Sequence, residues 1–264
     1  MFLCIICAKI GNLGFSHRIV WDFNYFSTFE ATNQSTTFMN RLQLIKSLVK
    51  KRNYKHYLEI GVFNGHILFR IPSTLKIAVD PSFRFTWLRK WGKTLLKPHN
   101  LRNRYYQKTS DTFFVEDACR IFDGKKIHIA LIDGMHEYAY ALRDVENTLQ
   151  YLDDNGVIIM HDCNPVSADA AATFDEWQTK KPGTPWNGDV WKTIMHLRCN
   201  RDDIRVFVID CDHGLGIITK GVPDDMLSFT PEQVEELTYA HLECNRDKWL
   251  NLKSVDYART YFGI

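Results

Sequence analysis

The sequence has no long apolar run. No stretch approaches the roughly 18–20 apolar residues that cross a bilayer, so we expect no membrane span. The short apolar run at residues 2–7 has no basic flank, which argues against a signal peptide. The formal charge is only +2 over 264 residues, so no overall asymmetry points to an acidic partner. No nucleic-acid-binding module is recognisable. We therefore expect a cytoplasmic protein.

Cysteine is neither frequent nor regularly spaced. The seven cysteines are odd in number and scattered, which is typical of a reducing compartment in which most thiols fill core space. Cys4 and Cys7 form a CxxC pair, but no second pair lies near it. A redox or zinc role is therefore less favoured than a buried first strand or a ragged terminus.

The sequence also lacks internal repeats and flexible linkers. Its 45% hydrophobic and 13% aromatic residues suffice for a substantial core. We predict one domain over residues 1–264, with a core at about 52–221. An irregular N-terminal extension (1–51), ending in a helix from about residue 38, and a helical C-terminal extension (222–264) complete it.

Short apolar runs alternate with helical patterns along the core, which predicts an α/β fold. Asp153–Gly156 is predicted to be a turn before the fifth strand. The last two strands are predicted to form an antiparallel pair. The predicted strands are 57–61, 76–80, 105–108, 127–133, 156–161, 205–209 and 216–219.

The first chemical segment follows the first strand. Glu59 ends that strand, and Gly61 and Gly65 make a tight turn where backbone can approach a ligand. Asp80 ends the next strand, where a carboxylate can accept both hydroxyl protons of a ribose. Phe63 stands where dinucleotide-binding turns carry their middle glycine and would crowd a pyrophosphate. The segment thus suits a nucleoside without a diphosphate bridge and argues against NAD or FAD.

The second chemical segment follows the fourth and fifth strands. Asp133 and His136 come after one strand, and His161 and Asp162 end the next. Neighbouring strands lie about 4.8 Å apart, so these four side chains can converge on one ligand. Ionisable groups gathered at strand ends favour chemistry over packing.

As a set, these motifs resemble class I S-adenosylmethionine-dependent methyltransferases, in the small O-methyltransferase branch that includes macrocin-type sugar O-methyltransferases. The resemblance implies a Rossmann-like, doubly wound seven-stranded sheet, mostly parallel, with the last strand antiparallel. It also implies S-adenosylmethionine as cofactor. The implied cofactor-binding residues are Glu59, Gly61, Gly65, Asp80, Ser110, Asp111 and Asp133. The segments that carry the resemblance are 59–65, Asp80, 110–111, 131–138 and 155–162.

In the metal-dependent relatives, the Asp of an Asp-Gly-x-His stretch binds a divalent ion and its His is the general base. This implies catalytic roles for Asp133, His136 and Asp162, and Mg²⁺ or Mn²⁺ held by Asp133, His161 and Asp162. His161 departs from the relatives, which carry Asp or Glu there. A His–Asp–Asp set would also suit Fe²⁺ or Zn²⁺, and a site without metal stays open. The alternative for His136 is a helix-capping or core role.

Two segments are candidates for acceptor binding. Residues 83–108 intersperse arginines and lysines with aromatics, which suits either an anionic acceptor or a solvated basic face. The stretch Trp186–Lys192 offers Asn187, Asp189 and Trp191 for a sugar ring, and its alternative is a buried, tryptophan-anchored turn.

We therefore predict an enzyme that methylates a hydroxyl of a sugar or glycan intermediate, with a metal as an optional aid. The acceptor could be nucleotide- or lipid-linked, and a homo-oligomer stays open. The alternatives are an O-methyltransferase of a small phenolic or other non-sugar metabolite, a nicotinamide-dependent Rossmann dehydrogenase, and a non-catalytic module that binds ligand without turnover.

Overall fold

The computed structural model describes residues 39–264, with the side chain of Trp87 excepted. The predicted irregular segment and the Cys4–Cys7 pair lie outside these residues. The single domain predicted over the whole chain therefore stays a prediction. In the described part of the chain, no helix is long and apolar enough to cross a membrane.

One mixed sheet organises residues 39–264. Its strand order is β3-β2-β1-β4-β5-β7-β6-β8, and β7 pairs antiparallel with both neighbours while every other pairing is parallel. This confirms the predicted α/β class and the antiparallel late strand. The strands are β1 His56–Ile60, β2 Leu75–Val79, β3 Asn103–Tyr106, β4 Ile127–Ile132, β5 Leu152–Met160, β6 Ile204–Ile209, β7 Leu215–Lys220 and β8 Leu252–Lys253.

Ten α-helices occur among the described residues. They are α1 Arg41–Arg52, α2 Trp87–Leu96, α3 Ser110–Phe113, α4 Cys119–Ile121, α5 Tyr138–Tyr151, α6 Phe174–Gln178, α7 Trp191–Asn200, α8 Pro231–Glu236, α9 Tyr239–Trp249 and α10 Val255–Phe262. A π-helical turn, Phe114–Ala118, joins α3 to α4. A 3₁₀ turn, Leu68–Arg70, follows Gly65.

Two apolar layers cover the faces of the sheet. Leu58 and Ile60 of β1 point into one layer with α5 and α7, and Tyr57 points into the other with α1 and α10. Successive residues of a strand face opposite sides, so a strand buried on both faces reads as a continuous apolar run. This is why the central strands were recognisable from sequence.

The sheet differs from the prediction in two places. Asp153–Gly156 belongs to β5 rather than to a separate turn, and its register against β4 jumps from Ile127↔Leu152 to Ile129↔Val157. The extra residues bulge out, and the Asp153 carboxylate accepts a hydrogen bond from the N–H of Asn155. The two-residue strand β8 also adds an eighth strand at the edge of the sheet.

Helix α1 starts where its cap dictates. The Asn40 side chain accepts a hydrogen bond from the N–H of Gln43, whose side chain accepts one from the N–H of Asn40. This reciprocal capping box fixes Arg41 as the first helical residue, three residues later than predicted. The start of the helix decides where the Arg41 side chain lies.

Candidate functional site

The site forms where β1, β4 and β5 end side by side. Asp133 follows β4 and donates its N–H to Ile60 O at 2.9 Å, and His161 follows β5 and donates its N–H to Ile132 O at 3.0 Å. These bonds extend the parallel ladder one residue past each strand. Backbone hydrogen bonds alone therefore fix the positions of Asp133 and His161.

Gly61 allows the chain after β1 to approach the chain after β4 closely. Its φ is +82°, and a Cβ added there would lie 1.9 Å from the carbonyl oxygen of Asp133. Only a residue without a side chain allows so close an approach. Gly61 thus positions the backbone that carries Asp133.

Four ionisable side chains meet at these strand ends. His161 Nδ1 lies 3.2 Å from Asp133 Oδ1 and 3.1 Å from Asp162 Oδ2. His136 Nε2 lies 3.5 Å from Asp133 Oδ1, and its Nδ1 lies 3.2 Å from Asp162 Oδ2. The structure therefore brings together the four residues that sequence placed at one sheet edge.

The tautomer of His136 follows from its backbone contact. Nδ1 lies 2.8 Å from Trp186 O, and a carbonyl oxygen only accepts, so the proton is on Nδ1. In the neutral ring Nε2 carries the lone pair, and it faces Asp133. The Trp186 ring packs against the imidazole, with centroids 5.0 Å apart. His136 is thereby held as a proton acceptor with a defined direction.

Arg41 and Asp212 also belong to the site, although sequence reasoning did not propose them. Arg41 Nη1 lies 2.9 Å from both Asp212 Oδ2 and His161 Nε2, and Nε lies 3.4 Å from Asp133 Oδ2. The backbone N–H of Arg41 donates to Asp212 Oδ2 at 2.8 Å. A carboxylate at a helix N-terminus is favourable, so Asp212 joins α1 to the β6–β7 turn.

Charge organises this cluster. Burial would raise the pKa of Asp133, but His161, His136 and Arg41 outweigh it and hold that pKa well below its usual range. Burial would lower the pKa of His136, but Asp133 and Asp162 raise it above its ordinary value. The carboxylates thus stabilise a positive charge on this imidazole.

The neighbours of His161 have opposite effects on the protonation of its ring. The carboxylates of Asp133, Asp162 and Asp212 raise its pKa against the opposing effect of burial. The guanidinium of Arg41 only donates, so its contact with Nε2 requires an unprotonated nitrogen there. The geometry favours the neutral ring with its proton on Nδ1, between the two carboxylates. His161 then has no lone pair directed at a ligand.

The predicted acceptor residues are less exposed than expected. Asn187 is buried, and its Nδ2 donates to Asp162 Oδ1 at 2.6 Å. Asp189 Oδ1 accepts a hydrogen bond of 2.6 Å from Tyr138 N at the start of α5. Trp191 is only 1% exposed and lies in the core, which argues against stacking on a sugar. Gly188 passes so close that a Cβ would lie 1.6 Å from His136 O.

An aromatic cluster lies beside His136 instead. Trp186 stacks on Trp177 with centroids 5.5 Å apart and contacts Phe174 at 5.0 Å. The Trp186 indole N–H donates to Ala172 O at 3.0 Å, and the Trp177 indole N–H donates to Thr184 O at 2.9 Å. The two indoles are therefore fixed, and Phe174 at the edge is exposed.

The predicted ribose acid is held by backbone. Asp80 Oδ2 accepts the N–H of Phe63 at 2.7 Å, and Oδ1 accepts the N–H of Ser82 at 2.6 Å. Phe63 has a φ of +48° and is 56% exposed, so much of its side chain faces solvent. The carboxylate thus connects the loop after β1 to the loop after β2.

The predicted adenine contacts lie near the start of α3. Asp111 forms a paired contact with Arg143, at 3.2 Å from Nε and 3.0 Å from Nη2. Ser110 hydrogen-bonds the buried Asp144 of α5, where burial raises the pKa of that carboxyl to about 7. Both residues therefore tie α3 to α5.

Glu59 is fully enclosed. It accepts a hydrogen bond of 2.6 Å from Tyr57 OH, and burial raises the pKa of Glu59 to about 8. Lys76 on the neighbouring strand donates to Leu68 O at 2.8 Å and to Asn100 Oδ1. Glu59 and Lys76 are thus both buried, on the neighbouring strands β1 and β2.

The Glu59→Gln variant should differ from the wild type in the pH dependence of stability. Between pH 4.5 and about 8, folded Glu59 keeps a proton that the unfolded chain has lost. The stabilising contribution of the Glu59 side chain to the fold is fully present below pH 4.5 and is lost as the pH rises towards 8. The stability of the wild type relative to the variant should fall by up to about 1.4 kcal/mol per pH unit. Urea unfolding across that window measures it, and parallel curves would contradict it.

The donor set at the strand ends fits a divalent ion. One donor atom each from Asp133, His136 and Asp162 lies within 4.8 Å of the others. The buried Asn187 Oδ1 beside them has no hydrogen-bond partner among the described residues. Carboxylate and amide oxygens suit Mg²⁺ or Mn²⁺, and an imidazole suits the softer of the two.

The signals for these residues differ in kind. Asp133, His136, His161 and Asp162 follow apolar strands and were found in that way. Arg41 and Asp212 lie far from them along the chain, in a helix start and a hairpin turn that carry no chemical motif. Only the fold brings them together, and no sequence signal marks them.

Comparison with known proteins agrees with this geometry. A family model described as a methyltransferase domain matches residues 58–163, which run from β1 to just past β5. No curated protein matches the sequence. The match supports methyl transfer and gives no support to the nicotinamide-dependent dehydrogenase.

Solved structures share the fold at low sequence identity. A proposed O-methyltransferase from Klebsiella pneumoniae aligns with a TM-score of 0.52 and 11% identity, over 71% of this chain and 83% of that one. Cofactor-bound Rv0187 from MTB aligns with a TM-score of 0.51 and 10% identity, over 69% and 81%. Residues 58–163 therefore match a methyltransferase domain, and the described residues share the fold of these solved structures.

Proposed function

We propose that this chain is an S-adenosylmethionine-dependent methyltransferase that acts on oxygen, at a hydroxyl group of a sugar or glycan intermediate. The observation that carries the proposal is the orientation of His136. Its Nδ1–H is committed to Trp186 O, which leaves Nε2 to take a proton at the ends of the central strands. A sulfonium methyl group is already activated, whereas a hydroxyl needs a base.

The residues around His136 complete this role. Nε2 of His136 would take the proton of an acceptor hydroxyl, and S-adenosylmethionine, when bound, would supply the activated methyl group for that oxygen. The carboxylates of Asp133 and Asp162 lie 3.5 and 3.2 Å from the ring nitrogens and stabilise the imidazolium that forms. The N–H of Gly61 remains bonded to Val79 O, so the turn beneath stays rigid.

The cofactor side of the proposal keeps the residues predicted from sequence. Asp80 would accept the ribose hydroxyls, and Gly61 and Gly65 would let backbone approach the nucleoside. Ser110 and Asp111 would border the adenine, and Glu59 would support the turn from below. Asp133 would serve either the cofactor or a metal.

A metal would be held by Asp133 and Asp162, with Asn187 Oδ1 as a further oxygen donor. His161 was predicted as a ligand, but its Nε2 contacts Arg41. When bound, a divalent ion would acidify a hydroxyl and fix its direction. His136 Nε2 serves the proton transfer, so it would not be a ligand of the ion.

The acceptor class is supported by the aromatic cluster next to His136. Apolar faces of sugar rings pack well on fixed indoles such as Trp177 and Trp186, and the remaining hydroxyls can stay in water. A small phenol would stack on the same rings and is the second candidate. The two acceptors differ in hydroxyl acidity, because a phenol ionises near pH 10 and needs less help from a base.

A methyl-transfer assay separates these acceptors. We expect labelled methyl groups from S-adenosylmethionine to appear on a nucleotide-sugar or glycan pool and not on a phenol panel. Phe174→Ala should raise KM for the acceptor without changing S-adenosylhomocysteine binding, and Val115→Ala, exposed elsewhere, should change neither. A chelator should abolish transfer, and Mn²⁺ or Mg²⁺ should restore it.

Each arm of the assay has an outcome that contradicts one part of the proposal. Methylated phenol without methylated sugar would replace the acceptor class. Full activity in chelator would remove the metal. Loss of S-adenosylhomocysteine binding in Phe174→Ala would place the aromatic cluster at the cofactor instead of at the acceptor.

A further inference from the structure

Helix α2 exposes its apolar side to solvent. Leu88, Trp91, Leu95 and Leu96 are 64%, 59%, 79% and 78% exposed. Their spacing of three and four residues places Leu88, Trp91 and Leu95 on one side of the helix, with Leu96 beside them. We call these four residues the apolar face of α2.

The opposite side of α2 rests on the protein. Lys90 Nζ lies 4.0 Å above the ring of Tyr105 in β3. The carbonyl oxygen of Lys93 accepts a hydrogen bond of 3.1 Å from Asn100 Nδ2. A surface helix normally buries its apolar side, so α2 is oriented in the reverse sense. Its packing leaves the four apolar side chains available to a partner.

The segment that carries this face holds charge of one sign. Residues 81–110 contain eight basic residues and no acidic residue. Arg84, Arg89, Lys90, Arg102 and Arg104 are exposed. Leu101, next to Arg102 in the chain, is also 70% exposed. The partner must therefore offer both apolar volume and negative charge.

We infer that the apolar face of α2 and its basic surroundings bind the surface of an anionic phospholipid bilayer. Leucine and tryptophan side chains enter the boundary between headgroups and acyl chains, and arginines and lysines reach the phosphates. The helix lies in the plane of the membrane and does not cross it. This surface is separate from the strand-end site and does not depend on the identity of the acceptor.

Other partners fit this surface less well. A second copy of the chain would bring two strongly basic surfaces into contact, which costs electrostatic energy. A nucleic acid would need the basic side chains in front, but here exposed leucines occupy that position. An anionic bilayer satisfies both the leucines and the arginines.

Vesicle co-sedimentation of the full chain tests the inference. We expect binding to phosphatidylcholine vesicles that contain phosphatidylglycerol, and little binding to phosphatidylcholine alone. The double variant Trp91→Gln, Leu95→Gln should bind the anionic vesicles at least about tenfold more weakly. The pair Arg89→Gln, Arg102→Gln should also weaken binding at least about tenfold, an effect that added salt masks.

A matched control distinguishes binding through this face from nonspecific binding of exposed apolar side chains to vesicles. Val222 follows β7, towards the opposite edge of the sheet from β2 and β3, and is 75% exposed. The Val222→Gln variant also removes an exposed apolar side chain and should bind vesicles like the wild type. All variants change exposed residues, so their melting temperatures should match the wild type. Equal binding by the wild type and Trp91→Gln, Leu95→Gln would overturn the inference. So would a dimer that this double variant dissociates while the wild type ignores anionic vesicles.

Discussion

Replacing His136 by glutamine should lower the rate of methyl transfer by about 10²–10⁴-fold, the usual contribution of a positioned general base. Glutamine can still donate to Trp186 O, so the loop keeps its partner, but its amide cannot accept a proton at neutral pH. S-adenosylhomocysteine affinity should stay nearly the same, because no part of the cofactor depends on that proton. Single-turnover assays with labelled S-adenosylmethionine and calorimetric titration measure the two quantities.

The matched control lies near the start of β4, the strand that precedes His136 in the chain. His128 in β4 accepts a hydrogen bond of 3.1 Å from the N–H of His56, far from the strand-end site. His128→Gln should leave the rate of methyl transfer within a factor of a few. Equal losses in the two variants would show that the effect is structural, and a fully active His136→Gln would remove His136 as the base.

Replacing Gly61 by alanine should lower the free energy of unfolding by about 3 kcal/mol or more, at the upper end of single substitutions. The added Cβ would meet the Asp133 carbonyl at 1.9 Å, so one of the two strand ends must move. A positive φ adds its own cost of about 1–2 kcal/mol. S-adenosylhomocysteine should no longer stabilise the variant, and urea unfolding with and without it measures both effects.

Gly124 provides the comparison for this substitution. Its φ is +61°, but a Cβ there would have no atom within 4 Å. Gly124→Ala should therefore lose only the backbone term of about 1–2 kcal/mol. The difference between the two variants isolates the crowding of β1 against β4. Equal losses would mean that Asp133 moves aside at little cost.

The strand-end chemistry was predictable because it depends on local patterns. Apolar runs buried on both faces locate β1, β4 and β5, and parallel strands present their carboxyl ends at one edge. Asp133, His136, His161 and Asp162 follow from that rule alone. Their meeting within hydrogen-bonding distance needs only the strand order, which the resemblance to known methyltransferases supplied.

Other parts of the site were beyond sequence reasoning. Arg41 reaches His161 across 120 positions of chain, and its place depends on the cap that starts α1. The partner of His136 is a backbone carbonyl, which no residue type reveals. Trp191 was a candidate for a sugar ring, with a buried, tryptophan-anchored turn as the alternative, and at 1% exposed it lies in the core.

The predicted turn at Asp153–Gly156 was wrong for a similar reason. Asp, Asn and Gly favour turns, and the local sequence offers no sign that pairing resumes beyond them. Strand β5 accommodates the extra residues as a bulge because Leu152 is already paired with Ile127. A long-range contact thus decided the local conformation.

The two backbone hydrogen bonds that the Asp80 carboxylate accepts bear on the proposed binding of a nucleoside. A carboxylate offers about four lone-pair positions, and the amides of Phe63 and Ser82 use two of them. Two positions remain, which is the number that the vicinal diol of one adenosine requires. Docking of the diol would then add to the existing contacts without displacing them, so the receptor is preformed and little ordering entropy is lost on binding.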